Sequence, residues 1–178
     1  MILDLARVTR VMAGGKRMRF RACVALGDRK GRVGVGLAKG ADVSLAISKA
    51  TNDAKKKIIK VRTTDTGTIP HQARIRSYSA KLLLKPAPPG TGIIAGSVLR
   101  QIFELAGIRD IVGKILGTSN KVNNAKAAIA VLQTLREPLD SQRGKKTAQQ
   151  VGSKKQDKAE AEENIGNRQR NAKKQATP

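Results

Sequence analysis

Between Met18 and Leu26 every second position is apolar: Met18, Phe20, Ala22, Val24 and Leu26 alternate with Arg19, Arg21, Cys23 and Ala25. A period of two is that of a strand with one face buried. Val33, Val35 and Leu37 repeat the pattern, and between the two runs Gly27-Asp28-Arg29-Lys30-Gly31 has hairpin chemistry, with glycines free to adopt positive φ and an Asp suited to opening a turn. Leu5 to Met12 reads as an earlier strand, linked through Ala13-Gly14-Gly15-Lys16-Arg17. The expectation is a three-stranded antiparallel meander. From about Asp42, an expected N-cap, the spacing becomes helical: Val43, Ile47, Ala50, Ala54 and Ile58 share a face, and Lys49, Lys55, Lys56 and Lys57 fall mostly off it. Such a helix would roof the sheet.

The polar stretch Thr63 to Thr68, with Gly67 near its end, marks a boundary to a second unit. There the pattern predicts a strand near Gln72 to Arg76, a strand Ala80 to Lys85, a helix from about Gly96 to Ala106, a strand Ile111 to Leu116 and a helix Asn123 to Leu135. Ala125, Ala128, Ile129, Leu132 and Leu135 form the apolar stripe of that last helix. After Pro138 the chain is rich in Gln, Lys, Glu, Ala and Asn, with Leu139, Val151 and Ile165 its bulky aliphatics, too little apolar surface to offset the entropy of ordering. The reading is an α+β protein in three parts: 1–62, a sheet plus helix; 63–137, a β-α-β-α domain; and 138–178, a basic polar tail expected to be disordered when free.

Charge changes this picture from a fold to a partner. The chain of 178 residues holds 36 Lys and Arg against 13 Asp and Glu, a net charge of +23. Residues 1–62 hold 16 of the cations and 4 of the acids. An excess of this size is the footprint of a polyanion ligand, nucleic acid above all. The aromatics are Phe20, Phe103 and Tyr78, too few for the stacking platforms that read single-stranded bases, so recognition of backbone and shape is expected. A lone cysteine, Cys23, and a lone histidine, His71, exclude a disulfide framework and a zinc site of ordinary ligand number. A cytosolic protein is expected, since Asp4, Arg7 and Arg10 break any leader-like apolar run. The most apolar stretch, Gly92 to Ile108, contains Arg100 and Glu104 and falls short of the roughly 20 apolar residues needed to span a bilayer.

Lys16, Arg17, Arg19 and Arg21, then Arg29, Lys30 and Arg32, surround the glycine-rich meander, with Arg19 and Arg21 directed away from its apolar face. Glycines 14, 15, 31, 34 and 36 would let backbone N–H groups approach phosphate oxygens closely. The bland alternative is a solvated hairpin. Lys55 and Lys56 belong to the same candidate set, a solvated helix face being the other reading. Gly90-x-Gly92-x-x-Ala95 imitates a dinucleotide fingerprint, but Pro86, Pro88 and Pro89 interrupt the tight strand-to-turn passage that the motif needs, and Asp110 precedes the next strand rather than ending it. Gly96 is followed by Ser97-Val98, not the Lys-Ser/Thr of a P-loop. Without a second His, Cys or paired carboxylate, neither His71 nor Cys23 has chemistry to serve. No catalytic residue, metal or cofactor is expected, and no small-molecule substrate. A free RNA chaperone is the rival binding function, and a nucleotide-dependent enzyme at the Gly90 turn a remote one.

Six segments in order, Gly14-Gly15-Lys16-Arg17-Met18-Arg19-Phe20, Gly27-Asp28-x-x-Gly31-Arg32-Val33-Gly34-Val35-Gly36, Gly67-Thr68-Ile69-Pro70-His71, Leu84-Lys85-Pro86-Ala87, Gly90-Thr91-Gly92-Ile93-Ile94-Ala95-Gly96 and Gly117-Thr118-Ser119-Asn120, closely resemble the bacterial small-subunit ribosomal protein S five family, from about Leu5 to Arg136. The resemblance implies a first domain akin to the double-stranded-RNA-binding fold and a second of the type named after the family. It implies a structural place in the small ribosomal subunit, with rRNA at the head/body region, ribosomal proteins S four and S eight as neighbours, mRNA nearby where it enters the subunit, and an influence on decoding accuracy. On the matching positions it implies rRNA contact at Lys16, Arg17, Arg19 and Arg32, and a protein interface at Gly92 and Arg100. Three departures stand out. Lys121 occupies a position that is usually proline, Ala38-Lys39-Gly40-Ala41-Asp42-Val43 stands where Gly-Lys-Ala-Arg-Glu-Val is common, and fewer residues than usual precede the first strand. Contacts made there by the family are expected to be missing here.

Overall fold

The computed structural model describes residues 1–136, so the predicted tail lies outside the described residues. Two four-stranded sheets carry the fold. The first has the order β1 (Ile2–Met12), β2 (Gly15–Gly27), β3 (Arg32–Gly40), β4 (Ile59–Lys60), all neighbours antiparallel, with α1 (Val43–Lys56) between β3 and β4. The predicted meander thus gains a fourth, two-residue strand. The expected linker between the first two strands is absent: Met12 pairs with Gly15, leaving Ala13 and Gly14 as the turn. Gly14 at φ 88 and Gly15 at φ 138 permit that reversal, and both strands run to the tip.

The expected single buried face of β2 holds only in part. Ala22 and Val24 pack with Ala46 and Ala50 of α1, whereas Cys23 and Ala25 on the other face enter a larger core shared with the second sheet and its helices. This part of the sheet is covered on both sides. The expected face of α1 also holds in part. Ala50 and Ala54 are buried and Ile47 packs beside them, but the third buried residue is Ala46, and Ile58 is 48% exposed and outside the helix. The cause lies in β3. A Cβ on Gly34 would sit 2.6 Å from the Ala54 carbonyl oxygen, one on Gly40 2.6 Å from the Ala46 nitrogen, and one on Gly36 would overlap the Ala50 carbonyl. Helix and strand backbones meet so closely that only methyl groups fit between them. Gly34 and Gly36, expected to admit phosphate, admit α1 instead.

The second sheet has the order β5 (Ala73–Ser77), β6 (Ala80–Pro86), β8 (Ile111–Ile115), β7 (Ile93–Ile94); β7 runs parallel to β8 and α2 (Ser97–Ala106) connects them. The short β7 has too few residues to show a period. Glycines bracket α2, Gly96 at its N-cap and Gly107 at its C-cap with φ 80. The last helix, α3, is Lys121–Thr134, starting two residues before the expected Asn123, because the Asn120 side chain accepts the Val122 N–H at 3.1 Å. That cap serves in place of the usual proline. Buried Asn124 donates to the Thr118 carbonyl at 2.9 Å and ties the helix to the loop before it. α2 and α3 pack against each other and the second sheet, and Phe103, Leu82, Leu84 and Leu132 share one apolar cluster with Val33 and Cys23 of the first. No described helix is long and apolar enough to cross a membrane.

Candidate nucleic-acid interface

Eleven consecutive residues, Thr9 to Arg19, are exposed, the longest such run described. They form the outer half of the β1–β2 hairpin. Paired residues in a sheet share a face. Arg10 pairs with Arg17 and Val8 with Arg19, so Arg10, Arg17 and Arg19 line one face; Val11 pairs with Lys16 and Thr9 with Met18 on the other. Like charges set directly opposite across strands are destabilising. Arg10, Lys16, Arg17 and Arg19 have no ion-pair partner among the described residues. Among the described residues, nothing lies within 4 Å of where a Cβ on Gly14 or Gly15 at the tip would sit.

The other candidates lie elsewhere. Arg21 continues the arginine face inward but is held by Asp4 at 3.2 Å, with Lys121 3.6 Å from the same carboxylate. Arg29, Lys30 and Arg32 lie beyond the other end of β2, about 40 Å along the strand from Lys16. Their turn is docked: the Arg29 and Gly31 N–H groups donate to the Leu105 and Ala106 carbonyls at the end of α2, each at 3.0 Å. Asp28 organises it, one oxygen accepting the Lys30 and Arg32 N–H groups and the other the Arg32 Nε at 2.7 Å. The Arg32 bond, chiefly, holds this carboxyl down at about 2. Lys55 and Lys56 end α1 on the Arg32 side, since Ala54 faces Gly34. The expected basic surface is therefore two groups at opposite ends of β2. Sequence reading missed Arg10 as a member of the first; pairing across a two-residue turn is the signal that finds it.

The Gly90 turn is occupied by its own fold. The Gly92 N–H donates to Asp110 at 2.7 Å, and the Gly92 carbonyl accepts the Ile111 N–H at 3.1 Å. Asp110 is thus spent on closing the turn rather than facing a ribose. Arg100 is exposed on α2. A cavity of about 250 Å³ lies beside Cys23, Val35, Leu37, Val122 and Ile129. Burial, and then Asp4, push the Cys23 thiol up to about 11, leaving it protonated and inert at neutral pH.

A basic α+β protein whose most exposed element is an arginine-faced hairpin belongs to the class that holds polyanions. The sequence matches "Ribosomal protein S5, N-terminal domain" over residues 1–62 and "Ribosomal protein S5, C-terminal domain" over residues 76–145. It is 46% identical over 135 residues to the small ribosomal subunit protein uS5c of Rhodomonas salina, covering 76% of this chain and 80% of that one. With uS5 of Gloeothece citriformis the identity is 45% over 135 residues, 76% of this chain and 78% of the relative. With uS5c of Spinacia oleracea it is 46% over 139 residues, 78% of this chain but 45% of the relative's length. The chain belongs to the ribosomal protein S5 family. It is a structural, non-enzymatic component of the small ribosomal subunit, in a family for which rRNA binding is general.

Proposed function

We propose that the β1–β2 hairpin anchors this chain to small-subunit rRNA at the head/body region. The observation that carries this reading is the directly opposed Arg10–Arg17 pair on an exposed hairpin, with no ion-pair partner for either among the described residues. Such an arrangement is unfavourable alone and favourable against phosphate. Residues 1–62 are the rRNA-binding part, with Lys30, Arg32, Lys55 and Lys56 a second phosphate contact at the far end of β2. Residues 63–137 meet neighbouring proteins, S four at Gly92 and Arg100, with S eight beside them, near the mRNA as it enters the subunit. The contribution to decoding accuracy comes through that protein contact.

A tagged full-length copy should sediment with the small subunit and remain there after a high-salt wash. Purely electrostatic association is weakened steeply by salt through counterion release. Release into free fractions would instead indicate a freely exchanging RNA chaperone. Arg100→Glu should alter misreading in a cell-free translation assay while leaving rRNA affinity unchanged, since Arg100 lies on α2 and not on the hairpin. Equal error rates for variant and wild type would remove Arg100 from the accuracy argument.

A further inference from the structure

Among the described residues, the second sheet is covered on one face only. α2 and α3 pack against the side bearing Ala73, Leu82, Leu84 and Ile111, all buried. The register places the alternate residues on the outer side in three rows: Arg76 with Lys81; Arg74, Leu83 and Lys114; Lys85, Val112 and Ile94. The five cations are exposed, the four strands contain no acid, and none of the five is in an ion pair among the described residues. At about 7 Å per two-residue step and about 4.8 Å between strands, they cover an area of about 14 by 10 Å.

Four pairs of cations stand directly opposite each other in the two sheets: Arg10–Arg17, Arg21–Lys39, Arg32–Lys60 and Arg76–Lys81. Two are relieved within the chain, Arg21 by Asp4 and Arg32 by Asp28. The others are Arg10–Arg17 on the hairpin and Arg76–Lys81 on this face. Both retain repulsion that an external anion would remove. The outer positions hold no aromatic ring for stacking a base; Tyr78, 82% exposed, is confined to the β5–β6 turn at the rim. A flat basic surface without rings suits a duplex backbone better than an unpaired strand.

We infer that the outer face of β5, β6 and β8 is a second RNA-docking surface, which receives the phosphate backbone of a duplex segment without reading its sequence. The inference rests on the rRNA-binding reading and adds an anchor on the side of the protein assigned to protein contacts. The test uses the full chain carrying Arg76→Gln, Lys81→Gln and Lys114→Gln, beside Lys16→Glu with Arg17→Glu. Affinity for a small-subunit rRNA transcript is measured between about 50 and 200 mM salt, where each phosphate contact contributes about 0.9 to the slope of log K against log salt. The sheet variant should lose about 2–3 from that slope and melt no lower than wild type, having lost a repulsion and no packing. A photo-crosslinker replacing Leu83 should attach to rRNA in assembled subunits. An unchanged slope in the sheet variant beside a reduced one in the hairpin variant overturns this inference and leaves the hairpin reading standing. If wild type binds without salt dependence, both fall. Attachment of the crosslinker to protein assigns the face to a protein neighbour and overturns the inference.

Discussion

Gly36→Val should remove a large part of the stability of this protein and lower its melting temperature by about 10 °C or more. The argument begins with a distance that has no slack. Any Cβ at position 36 overlaps the Ala50 carbonyl and lies against the Ala54 backbone, both within α1. Neither is a side-chain end that can rotate away. The helix must lift from β3, and the contacts of Ala46, Ala50 and Ala54, all fully buried, loosen together. Overpacking of a tight core typically costs 1–3 kcal/mol, and a rigid backbone neighbour places this site at or above the upper end, against about 5–15 kcal/mol for a whole domain. A change of 3 kcal/mol shifts melting by roughly 10 °C in chains of this size. Gly14→Ala provides the contrast. Its φ of 88 imposes strain, but no described residue lies within 4 Å of the new carbon, so the cost is confined to backbone strain, about 1 kcal/mol. Thermal melts that find the two variants equally stable would show that α1 is not seated on the glycines of β3.

The same glycines mark a limit of what was legible in the chain. Alternation exposed β2 and β3, and the charge excess pointed to a polyanion partner, because both signals are carried by residues near one another in sequence. A glycine in a strand has several uses, among them close approach to a helix, to phosphate or to a tight turn, and the choice depends on what lies opposite. Gly36 faces Ala50, fourteen positions along the chain and in a different element, so the helix-packing use could not be separated from the phosphate one without the fold. The expected face of α1 includes Ala50 and Ala54 but leaves out Ala46 and adds Ile58, for the related reason that large aliphatics outrank alanine in a pattern, whereas the gap above glycine accepts only methyl groups. The division of the basic cluster into two ends of β2 was also hidden. Lys16 and Arg32 are sixteen positions apart, and only the uninterrupted run of β2 from Gly15 to Gly27 keeps them far apart in space. The Asn120 cap is readable in principle, since an Asn before an apolar-periodic run is a start signal, but Lys121 in place of the usual proline leaves the first helical position unmarked.

Lys16→Glu with Arg17→Glu should abolish stable incorporation into the small subunit without lowering the stability of the isolated protein. The two halves of that expectation have different physical origins, which makes their combination diagnostic. Both residues are exposed and outside every described ion pair, so the fold loses no packing and no partner. Arg17 stands opposite Arg10, and a glutamate there replaces a repulsive pair with an attractive one, worth a few tenths of a kcal/mol to about 1 in favour of the hairpin. Toward RNA the sign is reversed. Two phosphate contacts are lost and two negative charges are brought to the same oxygens, so the salt slope should fall by about 2 and affinity by roughly 100-fold at moderate salt. Arg17→Ala separates charge loss from charge reversal: a smaller affinity loss, together with a melting temperature at or above wild type, is the expected intermediate. A hairpin retained only for structure would do the opposite, losing stability in both variants while subunits incorporate them. Incorporation of the double-glutamate variant at the wild-type level, measured by quantifying the tagged chain in salt-washed subunits, would exclude the hairpin as the anchor.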